Sequence, residues 1–542
     1  MYIAVEGCGH GELDGIYAGI QHVEKARSIK VDLLIICGDF QATRNPDDLQ
    51  CMAVPPKYYT MGTFYKYYSG ELRAPVLTLV VGGNHEASNY MQALAHGGWL
   101  APNIYFVGYA SVLRFGSLRI GALSGIYNGH DYLKGHHERP PYDRSTMRSA
   151  YHVRNVDTYR LKQLTPDMDI FISHDWPRGV YHHGDVNQLL SKKPFFREEV
   201  ESNKLGSRPA EELLHRLQPR FWFSAHLHVK FSALVEHGRQ VGDPPPAAAG
   251  PDAAAPPATG GGRTTRFLAL DKCLPRRRYM QILELGDGAP ELSYDLEWLT
   301  VLRLTDHLTS VSSGTQYMPG PGCGQRFDFR PSAEELAETR AIWGEQLRVP
   351  ADFAVTAPPY DGRSDIRAGR QPAAATDPQT SRFCRRLRVR DPMEMLCGSA
   401  PPPVAGPMPP PPADPAQADI TLDGDLTLDP DGPAADPAEI GIDDDDVGED
   451  DMFVIDRKGT STPRAPPADF LSLNPARGRP AVPISFPEIA GKVTATPAKD
   501  SPDLMPAKDS PDLTPAKDSP AVTPAKKFKR RNQAIYGADA DG

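Results

Sequence analysis

Six short apolar runs, at 1–6, 31–37, 76–81, 118–123, 169–173 and 221–224, each have the length of a strand. Each breaks off into glycine and polar residues: Gly7-Cys8-Gly9-His10, Gly38-Asp39, Gly82-Gly83-Asn84-His85-Glu86, Ser124-Gly125, His174-Asp175 and Ala225-His226-Leu227-His228. Helical patterns lie between them, as at 14–27, where Ile16, Ile20 and Val23 share a face and basic residues gather toward the end. Such alternation predicts an α/β fold, with helices layered on a sheet. In open α/β sheets, ligands collect beyond the carboxyl ends of the strands. Five of the six ends here offer Cys, His, Asp or Asn, the groups that hold transition metals. The pattern predicts a metal-dependent catalytic site assembled from distant parts of the chain.

A pair of cations ~3.5–4 Å apart repel strongly and need a shared oxygen ligand. Asp39, directly after the second run, is the natural bridge. Cys8 and His10 from the first end, Asn84 from the third, His174 from the fifth, and His226 and His228 from the last complete the candidate ligands. If the last motif is extended, both imidazoles share a face; a turn there would aim them at two metals. Cys37 reads as an ordinary buried cysteine. The Gly7–Gly11 stretch is not a dinucleotide loop, because Glu12 stands where the third glycine belongs.

Composition limits the ordered part of the 542 residues. The 55 prolines crowd into about 243–257 and the chain after about 350. Residues 391–456 carry 18 Asp and Glu without Lys or Arg, so removing them from the formal −10 leaves +8 on the rest. A mildly basic body suits a polyanionic substrate. The seven cysteines (8, 37, 51, 273, 323, 384 and 397) show no paired spacing, so no disulfide framework is expected. No signal-peptide pattern opens the chain, and no apolar run approaches the ~20 residues of a membrane span. We expect a catalytic region over 1–237, a disordered insert at 238–263 and a smaller region over 264–348. Within the last, Ser332 and Glu335 form a capping box that opens a helix running to about Leu347. Residues 349–542 read as a disordered, acidic and Pro-rich tail. It carries a nine-residue repeat starting at Pro497, Pro506 and Pro515, and a basic cluster at 526–531. Such clusters act as nuclear-import signals or nucleic-acid contacts, and nuclear localisation is the expectation.

Gly38-Asp39, Gly83-Asn84-His85-Glu86, His174 and His226-Leu227-His228 resemble the motifs of the calcineurin-like metallophosphoesterases. The usual Asp-x-His is here Cys8-Gly9-His10. That departure makes the chain similar to the RNA lariat debranching enzymes within that superfamily. Ser173-His174-Asp175-Trp176-Pro177, the stretch 222–231, Tyr151-His152-Val153-Arg154-Asn155 and the stretch 267–277 strengthen the likeness, which covers about 1–348. The resemblance implies two β-sheets packed as a sandwich and flanked by helices, with a smaller C-terminal domain.

It further implies hydrolysis of the 2′–5′ phosphodiester at the branch of excised intron lariat RNA. Cys8, His10, Asp39 and His228 would surround one metal, and Asp39, Asn84, His174 and His226 the other. The implied pair is Fe2+ and Zn2+, with Mn2+ able to substitute; a soft thiolate at Cys8 suits zinc or iron over magnesium. A hydroxide generated there would attack phosphorus in line with the departing 2′-oxygen. His85 would serve as general acid or electrostatic stabiliser of that oxygen. The segment 124–159 would recognise substrate through Tyr127, Tyr132, Lys134, Arg139, Tyr142, Arg144, Arg148, Tyr151 and Arg154, since aromatics stack on unpaired bases while Arg and Lys hold phosphates. Expected partners are branched RNA and spliceosome-associated or import factors reading the tail of a monomer. The competing functions are a protein Ser/Thr phosphatase on the same metal core and a noncatalytic RNA-binding scaffold.

Overall fold

The computed structural model describes residues 1–238 and 263–398, together with the two-residue strand Val454–Ile455. Nearly all of the expected insert, the acidic run, the repeat and the basic cluster lie outside the described residues.

Two seven-stranded sheets form the molecule. The first runs β14 (Val454–Ile455), β12 (Met280–Glu284), β1 (Tyr2–Glu6), β2 (Val31–Ile36), β3 (Leu77–Val80), β5 (Ile104–Phe106), β4 (Gly98–Ala101). The second runs β10 (Phe231–Glu236), β11 (Thr264–Ala269), β9 (Phe221–Ser224), β8 (Ile170–Ser173), β7 (Leu118–Leu123), β6 (Ala110–Phe115), β13 (Leu292–Tyr294). All six apolar runs are strands. The first three are parallel neighbours in one sheet, and the last three are parallel neighbours in the other.

Period-two alternation explains why these runs carry no polar face. Ile3, Val5, Leu33, Ile35 and Leu79 share one core with Ile120, Ala122, Ile170 and Ile172 of the second sheet. Ala4, Leu34, Ile36 and Val80 pack instead with Leu13, Ile16, Ile20 and Val23 of helix α1 (Leu13–Arg27). Each buried aliphatic side chain of this kind contributes about 1.5–3 kcal/mol. The sandwich thus brings two sets of parallel strand ends together.

The region after 263 completes both sheets. β12 pairs antiparallel with β1, β11 lies parallel to β9, and β13 closes the far edge on β6. The capping box of Ser332 and Glu335 forms, but its helix, Ala333–Trp343, stops short of Leu347. Gly344, at φ 98°, ends it.

The expectation of disorder from 349 is corrected for 349–398. Helices Pro378–Leu387 and Pro392–Cys397 form there, burying Phe383, Cys384, Leu387 and Met393. The Gln379 side chain accepts from Trp99 N at 2.7 Å and donates to Trp99 O at 3.0 Å, extending the edge of β4. Tyr68 Oη accepts from the Thr356 and Ala357 amides, both at 2.8 Å. Composition averaged over the long Pro-rich tail hides this one short amphipathic helix. Phe353, Tyr360 and Ile366 from 350–377 pack singly onto the core, without the periodicity a sequence pattern needs. Among the described residues, no helix is long and apolar enough to cross a membrane.

Candidate metal centre

The candidate ligands sit where the strands release the chain, and the backbone there is bent hard. His10 (φ 40°), Asp39 (φ 47°), His226 (φ 65°) and His228 (φ 48°) all adopt left-handed conformations. Each costs of order 1–3 kcal/mol and persists only where the surroundings hold it. The Ala-His-Leu-His motif is therefore a turn, closed by Leu227 N to Ala225 O at 2.7 Å. It aims His228 at His10 and His226 at His174, with ring centroids 5.1 Å and 5.0 Å apart. Two glycines make room. A Cβ on Gly38 would lie 2.1 Å from His174 Nδ1, and one on Gly83 would lie 2.2 Å from Asp39 Oδ1.

Ligand atoms of Cys8, His10, Asp39 and His228 all lie within 4.8 Å of one another. His10 Nε2 and His228 Nε2 approach to 3.1 Å, and His10 Nε2 lies 3.7 Å from Asp39 Oδ2. The other carboxylate oxygen, Oδ1, is 3.2 Å from His174 Nε2. His174 Nε2 is also 3.2 Å from Asn84 Oδ1. Asp39 thus divides its two oxygens between two groups of donors, as a bridging ligand must. His174 Nδ1 lies 2.8 Å from the Cys37 carbonyl, and donating a proton there leaves Nε2 to face the centre. Cys8 Sγ accepts from His226 N at 3.2 Å, and Asp39 Oδ1 accepts from His85 N at 2.9 Å. The buried His85 ring packs edge-on to His10 at 5.3 Å between centroids.

Charge makes the case for cations. Burial, opposed by Asp39, pushes His10 down to about 4; burial and His10 push His228 down to about 2. Both imidazoles are neutral near pH 7, with lone pairs to share. Burial works against ionised Asp39, but His174, His85 and His10 outweigh it and hold the carboxyl well below the usual range. Burial and then Asp39 push the Cys8 thiol up. A cation beside it would reverse that, because a thiolate needs a compensating charge. Among the described residues, both carboxyl oxygens of Glu6 and Nδ1 of His228 are buried without a hydrogen-bond partner. The neutral imidazoles of His10 and His228, a split carboxylate and a compensable thiol fit two metal ions, while Asp39 and the Cys37 carbonyl raise His174 against burial.

Several motif residues to which the sequence assigns no role support the ligands. Glu86 Oε1 accepts from Phe40 N at 2.8 Å and Gly83 N at 3.1 Å, and Oε2 from Gln41 N at 3.0 Å, tying two ligand loops together. Burial and Asp39 raise it to about 7 against those amides. Asp175 Oδ2 accepts from Tyr127 N at 3.2 Å, joining the His174 loop to the segment 124–159. The Cys37 side chain is buried as expected; its carbonyl does the work.

In that segment, two expected RNA contacts are corrected. Arg154 is 0% exposed. It donates to Glu138 at 2.5 Å and to the carbonyls of Gly135, Ser149 and His152 at 3.0–3.1 Å. Tyr142 is buried, its hydroxyl donating to Gln92 Oε1. Lys134 is already paired with Asp131 at 2.8 Å. Tyr132 binds Thr158 Oγ1 at 2.6 Å and meets Tyr127 edge-on at 5.6 Å. Tyr127 and Tyr151 are half-buried, and Arg139, Arg144 and Arg148 are exposed.

Comparison with known proteins agrees with this geometry. The calcineurin-like phosphoesterase family matches residues 1–230, and the lariat debranching enzyme C-terminal domain matches 262–392. The first of these families implies a dinuclear site for divalent metals. The chain is 52% identical over 395 residues to lariat debranching enzyme A of Xenopus laevis, covering 72% of this chain and 71% of that protein. It is 53% identical over 420 residues to the lariat debranching enzyme of Drosophila melanogaster (72% and 78%). It is 46% identical over 367 residues to that of Arabidopsis thaliana (67% and 80%).

Proposed function

The chain belongs to the lariat debranching enzyme family, and from that premise we propose that it hydrolyses the 2′–5′ phosphodiester at the branch of intron lariat RNA. The observation that carries the chemistry is Asp39, whose two oxygens serve His10 on one side and His174 on the other. Cys8, His10, Asp39 and His228 would hold one cation, and Asp39, Asn84, His174 and His226 the second. When bound, the pair clamps the phosphate oxygens and lowers the pKa of a water to near neutrality. The neutral His10 and His228 orient without adding charge. His85, anchored through its amide on Asp39, protonates or steadies the departing 2′-oxygen as the new oxygen–phosphorus bond forms opposite it. The 5′-phosphate stays on one strand and the branch ribose regains its 2′-hydroxyl.

For the metals we infer an iron–zinc pair, with manganese able to substitute, from the soft sulfur of Cys8. Cys8→Asp then shifts activity toward manganese relative to zinc; an unchanged ratio of activities with the two metals would contradict it. Nuclear localisation follows from the basic cluster Lys526-Lys527-Phe528-Lys529-Arg530-Arg531 and from where introns are excised.

Purified protein is incubated with a synthetic 2′–5′ branched RNA beside a linear 3′–5′ control and a phosphopeptide. Release of the branch alone is expected. Phosphate release from the peptide would favour a protein phosphatase, and tight RNA binding without cleavage would favour a noncatalytic scaffold.

A further inference from the structure

The stretch 270–279, which follows β11, lies directly on the first ligand loop. Cys8 N donates to Asp271 O at 3.4 Å, Cys273 N to Cys8 O at 3.1 Å, and Gly7 N to Tyr279 O at 3.0 Å. This register carries Lys272 to the rim of the metal centre, bridged to Cys8. Its charge is felt by both His10 and His228. Arg277, on the same stretch, reaches Asp271 Oδ2 at 3.3 Å.

Lys193 approaches from another direction, at the end of the helix Val186–Lys192. It is 7% exposed, and its ammonium stands 5.8 Å from the centre of the Phe195 ring. Burial, opposed by Asp271 and reinforced by Arg277 and Lys272, lowers its pKa. Asp271 is the carboxylate set among these three cations. Its Oδ1 is taken by the Lys272 amide at 2.7 Å and its Oδ2 by Arg277. Three cations gathered around one carboxylate leave an excess of positive charge, which suits an anion arriving from outside. Lys272 lies on the Cys8–His10–His228 side of the centre.

We propose that Lys193, Lys272 and Arg277 form a binding site for a second RNA phosphate, one that flanks the scissile 2′–5′ linkage. The site rests on the debranching reading. It would hold the strand by its backbone without reading sequence, since phosphate contacts position and base contacts specify. A metal core shared by many phosphoesterases would gain from it a preference for a phosphodiester with a neighbour.

The test is a cycle between protein and RNA. Branched RNAs are made with native phosphates or with one neutral methylphosphonate at each position flanking the branch. The metal-loaded wild type is compared with K272Q and R277Q. Lys193→Gln opens a buried position and can lower stability, so the half-exposed Lys272 and Arg277 carry the test. One methylphosphonate should raise the wild-type KM about tenfold, with kcat within about twofold. K272Q should show that rise already with native RNA, and the same methylphosphonate should add less than about twofold more. Independent, multiplying effects of variant and methylphosphonate at every position would overturn the site. Should the wild type cleave no branched RNA, the debranching reading falls; dissociation constants from fluorescence anisotropy with the same RNAs then complete the same cycle.

Discussion

Arg154 and Glu6 are both fully buried charged residue types, and the molecule treats them in opposite ways. Arg154 meets a carboxylate and three carbonyls. Glu6 has no hydrogen-bond partner for either oxygen, and burial followed by Asp39 pushes its carboxyl up toward the neutral form. Around Arg154 the segment 124–159 is held by charge pairs, with Glu138 Oε2 and His136 Nδ1 left unpartnered among the described residues. Asp131 serves both His152 and Lys134, at 2.7 and 2.8 Å, and Asp143 caps the helix Arg144–Ser149. Around Glu6 the strand ends leave His228 Nδ1 unpartnered and two imidazole nitrogens crowded to 3.1 Å. Buried polar groups in folded proteins are nearly always satisfied. Around Arg154 the charged groups build a scaffold; at the strand ends the open groups crowd around the divided carboxylate of Asp39, where a cation fits.

The contrast can be broken most severely at Asp39. Asp39→Asn removes the charge shared by both donor groups, and activity should fall about 10⁴-fold with loss of bound metal. Activity within tenfold of wild type, measured beside metal content, would end the bridging role. Next comes Arg154→Ala, which strands Glu138 in the interior and should destabilise by about 3–5 kcal/mol. The double substitution Arg144→Gln/Arg148→Gln, at exposed positions, should stay within about 0.5 kcal/mol. Denaturant midpoints compare the two, and equal effects would erase the distinction drawn here.

Glu86 gives a pH-dependent version of the same contrast. Its value is raised in the folded chain from 4.5 to about 7, so the native state holds the proton more tightly than the unfolded one. That stabilisation is complete below about pH 4.5 and fades as the pH rises through about 7. Relative to Glu86→Gln, the metal-free protein should lose about 3 kcal/mol across that window. Parallel stability curves for the two proteins would contradict the assignment. The smallest effect is expected from Arg144→Gln/Arg148→Gln on RNA. Affinity for branched RNA should drop several-fold, and the log–log salt slope should shrink by roughly 0.7 per lost single-strand phosphate contact. Unchanged affinity across salt concentrations would remove these residues from the interface.

The strands and the ligand candidates were legible because one physical demand produced both signals. A strand buried on two faces must be continuously apolar, so its end is abrupt, and a polar cluster stands out against it. Glu86 stood in such a cluster without showing its role, and the Cys37 carbonyl and Glu6 left no such mark. The first acts through backbone amides of other loops, the second is a main-chain atom, and the third counts as the last residue of a strand. Arg154 and Tyr142 misled for the converse reason. Counting cations and aromatics in 124–159 cannot show that Glu138 and Gln92 have already claimed two of them. The helix Pro378–Leu387 was hidden by the composition of the tail around it.

The central claim is that the unmet capacity at the strand ends belongs to two cations. Metal-free protein is titrated by calorimetry with zinc and with manganese, and cleavage of branched RNA is followed at each addition. The account predicts two equivalents bound per chain, with cleavage appearing as the second is filled. Binding that stops at one equivalent, or full cleavage before the second enters, would contradict it.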